Sequence, residues 1–289
     1  MSSKFKVCTD HIKFDNSSKI YEDIYNLSTK INKKYCELNG YDYTNCLFNE
    51  NILKNFLDDD FFKIEKKKWA KACVYKYKYL LDVLNTSEND YIVYVEYDAC
   101  FCNTVKKLED YIDDEHSIFY SRCNWTYDIL NYYKNFNKMS NILNKNANGN
   151  GLLNFDMCSD ILVSRDIKEC LQVLNHPTFL NEGFYIFKND YVSRKFLKSI
   201  IKYYNIFYDD GCEPLWCAEG PVIGKLTSLP CFYNHLKLLP PKTQGHINGG
   251  SNKYDEDECL VCHNSSIDKN ILYEKLVNIS ENKYWKGIL

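Results

Sequence analysis

The chain has 289 residues, 36 basic and 39 acidic side chains and a formal net charge of −3, with the two signs interspersed rather than gathered into the basic stripe of a nucleic-acid binder. Hydrophobic residues make up 45% and aromatic residues 16%, which excludes a disordered chain, and no window approaches the roughly 18 apolar residues of a membrane span. This length allows one large α/β domain or two small ones.

Lys4 to Thr9 reads as a first strand with a polar end at Thr9-Asp10. Ile20, Ile24, Leu27, Ile31, Tyr35 and Leu38 recur at spacings of three and four, the stripe of an amphipathic helix. Ser17 or Ser18 can cap its start, and Gly40 follows its end. Tyr41 to Cys46 reads as a second strand, which completes a βαβ opening. Residues 49–66 are irregular and read as a solvated loop. A second helix runs from about Lys67 to Leu84, with Trp69, Cys73, Tyr77, Leu80 and Leu84 as its stripe.

Tyr91-Ile92-Val93-Tyr94-Val95 then forms a short run of β-branched and aromatic residues, the pattern of a strand buried on both faces in a mostly parallel sheet. It ends in Glu96-Tyr97-Asp98. Carboxylates are costly inside such a sheet but tolerable at its C-terminal edge, where open α/β sheets bind ligands. In extended backbone, residues two apart point the same way, so Glu96 and Asp98 can face one cation. Hard oxygen ligands suit Mn²⁺ or Mg²⁺. A strand end carrying two solvated acids would have the same spelling.

Thr104 to Tyr111 reads as helical and Ser117 to Cys123 as a strand. Residues 124–151 are rich in Asn and end in Asn148-Gly149-Asn150-Gly151, a turn-forming composition that predicts a flexible or inserted segment. Further strands are expected at Asp160–Ser164, Gly183–Phe187, Leu236 to Pro241 and Cys259 to His263. Helices are expected from Asn189-Asp190 to about Tyr204, over Pro221–Leu226 and from about Lys269 onward. Cys259-x-x-Cys262-His263, or Cys212 with Cys217, has the residue types of a zinc site, although a lone CxxC carries little weight.

Five islands fall in one order: Asn32 to Tyr41 (NKKYCELNGY), Trp69-Ala70-Lys71, Glu96-Tyr97-Asp98, Leu180 to Asn189 (LNEGFYIFKN) and Val261-Cys262-His263. In this set the chain resembles the galactosyl and mannosyl/xylosyl transferase family of fungal α-galactosyltransferases and plant xyloglucan xylosyltransferases. The resemblance spans roughly residues 4 to 270. It implies the α/β fold called GT-A, a mostly parallel Rossmann-like sheet flanked by helices. It also implies a glycosyltransferase that takes a nucleotide-sugar donor, a UDP-sugar by expectation, with Mn²⁺ (or Mg²⁺), and retains anomeric configuration.

Residue by residue, the resemblance implies a metal site at Glu96, Asp98 and His263, with Glu96 replacing the family's first aspartate. Lys71 matches a donor-facing lysine. Asn181, Glu182 and Gly183 match the element lining the sugar and acceptor cleft. Glu219 keeps the family's acid near the anomeric carbon, while Gly220 replaces the glutamine beside it. Thr9 and Asp10 are expected near the nucleoside, Tyr97 beside the donor, and Lys269 within reach of a phosphate.

The expected organisation is a single domain over 1–289. Its nucleotide-binding half is about 1–123 and its acceptor half about 152–289, with the flexible 124–151 between them. The acceptor would be a glycan or a protein-linked hydroxyl. The polar start, Met1 to Cys8, does not read as a signal peptide, so the 14 cysteines read mostly as reduced thiols. Together with a composition biased toward A/T-rich codons, this points to a soluble cytoplasmic enzyme, in the host cytoplasm if the source is a large DNA virus. The replacements at Glu96 and Gly220 leave open a different reading: a sugar-nucleotide or glycan binder of the same fold with little or no turnover.

Overall fold

A computed structural model describes residues 3–13, 18–49, 68–122, 180–209, 220–227, 229–246, 258–263 and 268–289. The Asn-rich segment 124–151, the strand expected at 160–164, the loop at 50–66, Cys212, Cys217 and Glu219 lie outside the described residues.

A six-stranded sheet forms the centre, in the order β2 (Asp42–Asn49), β1 (Phe5–Lys13), β3 (Tyr91–Val95), β6 (Leu180–Lys188), β5 (Ile118–Arg122), β7 (Leu236–Leu239). β1 pairs in parallel with β2 and β3, and β5 with β7, while β6 runs antiparallel to both of its neighbours. Five strands therefore point one way and one is reversed, the mostly parallel sheet that the buried YIVYV run predicts. Every residue of β3 is buried.

From β1 the chain passes through a helix to β2 on one side, then through a second helix back across β1 to β3 on the other. Their shared C-terminal edge is thus a switch point, the place where open α/β sheets make a ligand crevice. A second sheet, β4 (Ala99–Phe101), β9 (Val261–His263) and β8 (Gln244–His246), continues from that edge.

Helices cover both faces. α1 (Lys19–Asn39) and α6 (Lys269–Ser280) pack on one side over Phe5, Val7, Val93 and Phe184. α2 (Lys68–Thr86), α3 (Tyr191–Asp209) and α4 (Gly220–Thr227) pack on the other, over Cys8, Ile92, Tyr94 and Tyr185. A four-residue helix, α5 (Pro230–Tyr233), precedes β7. Alternation along β1 and β3 sends successive side chains to the two faces, which yields two cores from one sheet. Each fully buried large apolar side chain contributes roughly 1.5–3 kcal/mol.

The expected helix boundaries hold closely. α1 starts after Ser18 and ends on Gly40, whose φ of 69° is the left-handed conformation a helix-terminating glycine adopts at no steric cost. The Asp190 carboxylate accepts from the Ser193 backbone N–H at the start of α3.

Two expectations are corrected. Thr104 to Tyr111 is not an α-helix: only Leu108–Tyr111 makes a single 3-10 turn. The Asn103 side chain accepts from the backbone N–H of Val105 and Lys106, a local turn that competes with helix formation. Second, β1 does not stop at Thr9. Parallel pairing with β2 continues from Asp10↔Cys46 to Lys13↔Asn49, so Thr9 and Asp10 lie within the strand and both are buried.

Candidate metal centre

After Val95 the chain makes a tight turn, closed by the Ala99 N–H donating to the Glu96 carbonyl at 2.9 Å, and returns as β4. Three contacts hold this turn. The Glu96 N–H donates to the Gly183 carbonyl at 3.0 Å. Ser28 of α1 donates its hydroxyl to the Tyr97 carbonyl at 2.6 Å. Buried Asn32 of α1 donates to the Ala99 carbonyl at 3.1 Å and accepts from the Phe101 N–H at 3.0 Å. The asparagine in the α1 island is therefore a clamp on the carboxylate segment.

β9 pairs antiparallel with β4 and sets His263 opposite Ala99. The His263 Nε2 lies 3.0 Å from Glu96 Oε2 and 3.5 Å from Asp98 Oδ1. One ligand atom from each of Glu96, Asp98 and His263 falls within 4.8 Å of the others. Asp98 and His263 are buried, and Glu96 is partly exposed at the rim. Lys269, the first residue of α6, places its Nζ 3.7 Å from Asp98 Oδ2 and 3.5 Å from the Tyr97 hydroxyl.

The electrostatics follow from this packing. Burial works to raise the Asp98 pKa, but hydrogen bonding and charge from His263, with Lys269 behind them, hold it below the ordinary carboxylate value. Burial works to lower the His263 pKa, and Asp98 and Glu96 override it, pushing the imidazole up to about 9. Asp98 Oδ1 is buried, and His263 Nε2, 3.5 Å away, stands at the outer limit of a hydrogen bond to it. A buried carboxylate oxygen is costly unless a positive charge faces it, a place the imidazolium takes in the metal-free protein and a metal ion could take instead. Two carboxylates and one imidazole, converging around such an atom, fit a divalent cation of the Mn²⁺ or Mg²⁺ type.

The other expected residues divide by where they fall. Gly183 is buried in β6 against the centre. The Tyr97 ring lies 4.7 Å from that of His11, and its hydroxyl sits beside Lys269. Thr9 and Asp10 point to opposite faces of β1. Asp10 faces α2 and accepts from the Tyr94 hydroxyl at 2.5 Å, and burial pushes its carboxyl up to about 6. Lys71 lies in the first turns of α2, and Asn181 and Glu182 at the start of β6. The side chains of these three are outside the described residues. Among the described residues, Cys259 and Cys262 do not join His263 in a metal-ligating group; the converging set is the carboxylate one.

Two residues were not singled out from sequence. Lys76 of α2 is buried, with its Nζ 3.6 Å from Glu96 Oε1. His11, near the C-terminal end of β1, is buried between the rings of Tyr25 and Tyr97, and burial holds it down at about 4 and hence neutral. Its Nε2 has no hydrogen-bond partner among the described residues. A cavity of about 40 Å³ opens beside it between Lys13, Glu22, Tyr25 and Leu47.

No protein-family model and no curated protein sequence matches the chain. Solved structures do. A glycosyltransferase involved in the glycosylation of the major capsid of PBCV-1 superposes over 96% of this chain and 100% of its own, with a TM-score of 0.56 at 10% identity. The galactosyltransferase LgtC, solved with donor and acceptor sugar analogs, covers 98% of this chain and 100% of its own, with a TM-score of 0.53 at 10% identity. At that identity the likeness speaks to architecture, and it agrees with the fold expected from the sequence islands. The chain has the GT-A fold of these glycosyltransferases.

Proposed function

We propose that this protein is a metal-dependent glycosyltransferase that moves a sugar from a nucleoside-diphosphate donor, a UDP-sugar, to a hydroxyl of a glycan or protein-linked acceptor, with retention. The observation that carries the reading is the convergence of Asp98, Glu96 and His263 at the switch point of the sheet, with Lys269 beside them. Asp98, His263 and Glu96 would hold a Mn²⁺ (or Mg²⁺) ion. When bound, that ion supplies Lewis-acid neutralisation of a diphosphate.

The chain's own residues do the rest. Lys269 sets a fixed positive charge next to Asp98, where negative charge accumulates on the leaving diphosphate as the C1–O bond breaks. Burial of Asp98 and His263 removes water and so strengthens each of these interactions. Gly183 gives His263 its seat, and Asn32 and Ser28 keep the carboxylate turn rigid, so the site is organised before donor arrives. Thr9, Asp10, Lys71 and Tyr97 belong to the donor side of this reading. Asn181, Glu182 and Glu219 belong to the sugar and acceptor side, where the acceptor hydroxyl attacks C1.

The replacements at Glu96 and Gly220 favour one other reading, a binder of sugar nucleotides without turnover. Calorimetry with UDP and Mn²⁺, alongside nucleotide release from a panel of UDP- and GDP-sugars, separates the two. Release of UDP that requires Mn²⁺ supports the enzyme, whereas tight binding with no release supports the binder.

A further inference from the structure

Lys76 stands out once the centre is drawn. It lies on α2, next to the Glu96 oxygen that is not the one nearest His263, and its side chain is 5% exposed. A buried ammonium is costly unless anions compensate it. Glu96 Oε1 lies 3.6 Å from its Nζ, and Asp10, fixed by Tyr94, is near enough to act on it electrostatically. The rings of Tyr77 and Tyr94 flank the ammonium at 5.4 and 5.7 Å and fix its position. Glu96 is thus a two-sided carboxylate: Oε2 faces His263 and the candidate cation position, and Oε1 faces Lys76. The extra methylene of glutamate over aspartate supplies the reach for both.

Resting on the metal-dependent reading above, we infer that Lys76 is a built-in competitor for Glu96. It balances the charge of the centre before metal arrives, and it keeps divalent-cation affinity low until a diphosphate adds its negative charge. Lys76 acts through Glu96 and is a positioning residue rather than a group that touches substrate. An ammonium that shares a carboxylate with a divalent cation opposes that cation, so its removal tightens metal binding; a purely structural lysine would do the opposite or nothing.

The test is Mn²⁺ binding to the full chain without nucleotide, read by the electron paramagnetic resonance signal of free Mn²⁺, with circular dichroism and thermal unfolding as the check on folding. Lys76→Met is expected to tighten Mn²⁺ binding at least tenfold, and inorganic pyrophosphate is expected to improve Mn²⁺ affinity less in this variant than in the parent. In a Glu96→Gln background the same change is expected to alter affinity less than threefold. Lys76→Gln, which keeps a donor toward Glu96 and Asp10, carries the same expectation should the methionine variant not fold. Unchanged or weaker Mn²⁺ binding in a folded Lys76 variant overturns the inference, and so does an equal gain in the Glu96→Gln background. Parent protein that binds no Mn²⁺ even with inorganic pyrophosphate present, or binds it equally well as Asp98→Asn, overturns the metal reading and this inference with it. Binding that is lost in Asp98→Asn but indifferent to Lys76 overturns this inference alone.

Discussion

The imidazole of His263 lies directly against the α-carbon of Gly183. A Cβ built on that glycine would come within 2.3 Å of His263 Cγ and 2.4 Å of Nδ1. The Gly183 carbonyl meanwhile accepts from the Glu96 N–H. One residue of β6 therefore fixes two of the three candidate ligands, one by absence of a side chain and one by its backbone.

Gly183→Ala must push the His263 ring aside, since real Cβ contacts do not form at such distances. The expected result is a loss of Mn²⁺ affinity of at least tenfold, the scale seen when a group that orients a metal ligand is removed. Secondary structure should persist. Mn²⁺ titration and circular dichroism on the same sample check both halves.

His263 makes metal affinity depend on pH. In the metal-free protein its carboxylate neighbours hold the imidazole up at about 9, so a cation must displace a proton at neutral pH. Mn²⁺ affinity is expected to rise by up to about tenfold per pH unit from pH 6.5 toward 9 and to level off beyond. Calorimetry at pH 7 in two buffers of different ionisation enthalpy should report about one proton released per ion. The same shift acts on stability without metal. Because the folded pKa lies above the ordinary imidazole value, the stabilisation is complete below about pH 6.5 and is lost as pH rises through 9.

Asp10 gives a second pH signature with its own window. Burial raises its carboxyl from 3.8 to about 6, with the Tyr94 hydrogen bond and Lys76 pulling the other way. The neutral form is favoured in the folded state, so this contribution is present below about pH 4 and is lost as pH rises through 6. The loss is on the order of 3 kcal/mol. Asp10→Asn keeps the acceptor for Tyr94 and removes the charge. Urea unfolding at pH 4.5 and pH 8 should show the variant gaining on the parent at the higher pH.

Asn32→Ala leaves the Ala99 carbonyl and the Phe101 N–H, both buried, without their partner. Unsatisfied buried groups cost about 1–3 kcal/mol each, and the turn bearing Glu96 and Asp98 loosens with them. A lower unfolding midpoint together with weaker Mn²⁺ binding is expected; stability loss with unchanged binding would separate the clamp from the centre.

Much of this was legible in the amino-acid order. The YIVYV run ending in acids marks β3 and its exposed edge, and the α1 stripe with Gly40 marks that helix to within a residue. The convergence of His263 on Asp98 follows from the family resemblance rather than from any local pattern, because it depends on β9 pairing with β4. Lys76 was hidden for a physical reason. A lysine beside Tyr77 in an amphipathic helix reads as solvated, and it is buried only because the end of the sheet supplies Glu96 and Asp10 to compensate it. Asp10 to Lys13 looks like the polar exit of a strand, yet pairing to β2 carries the strand on. β8 is three residues with two polar side chains and has no local signal at all.

The most direct test of the central claim is UDP release from UDP-sugars by the parent protein and by Asp98→Asn, each with Mn²⁺ and with chelator. The account predicts release by the parent that stops on chelation, and at least a hundredfold loss in the folded variant. Equal, chelator-insensitive release by both proteins would contradict it.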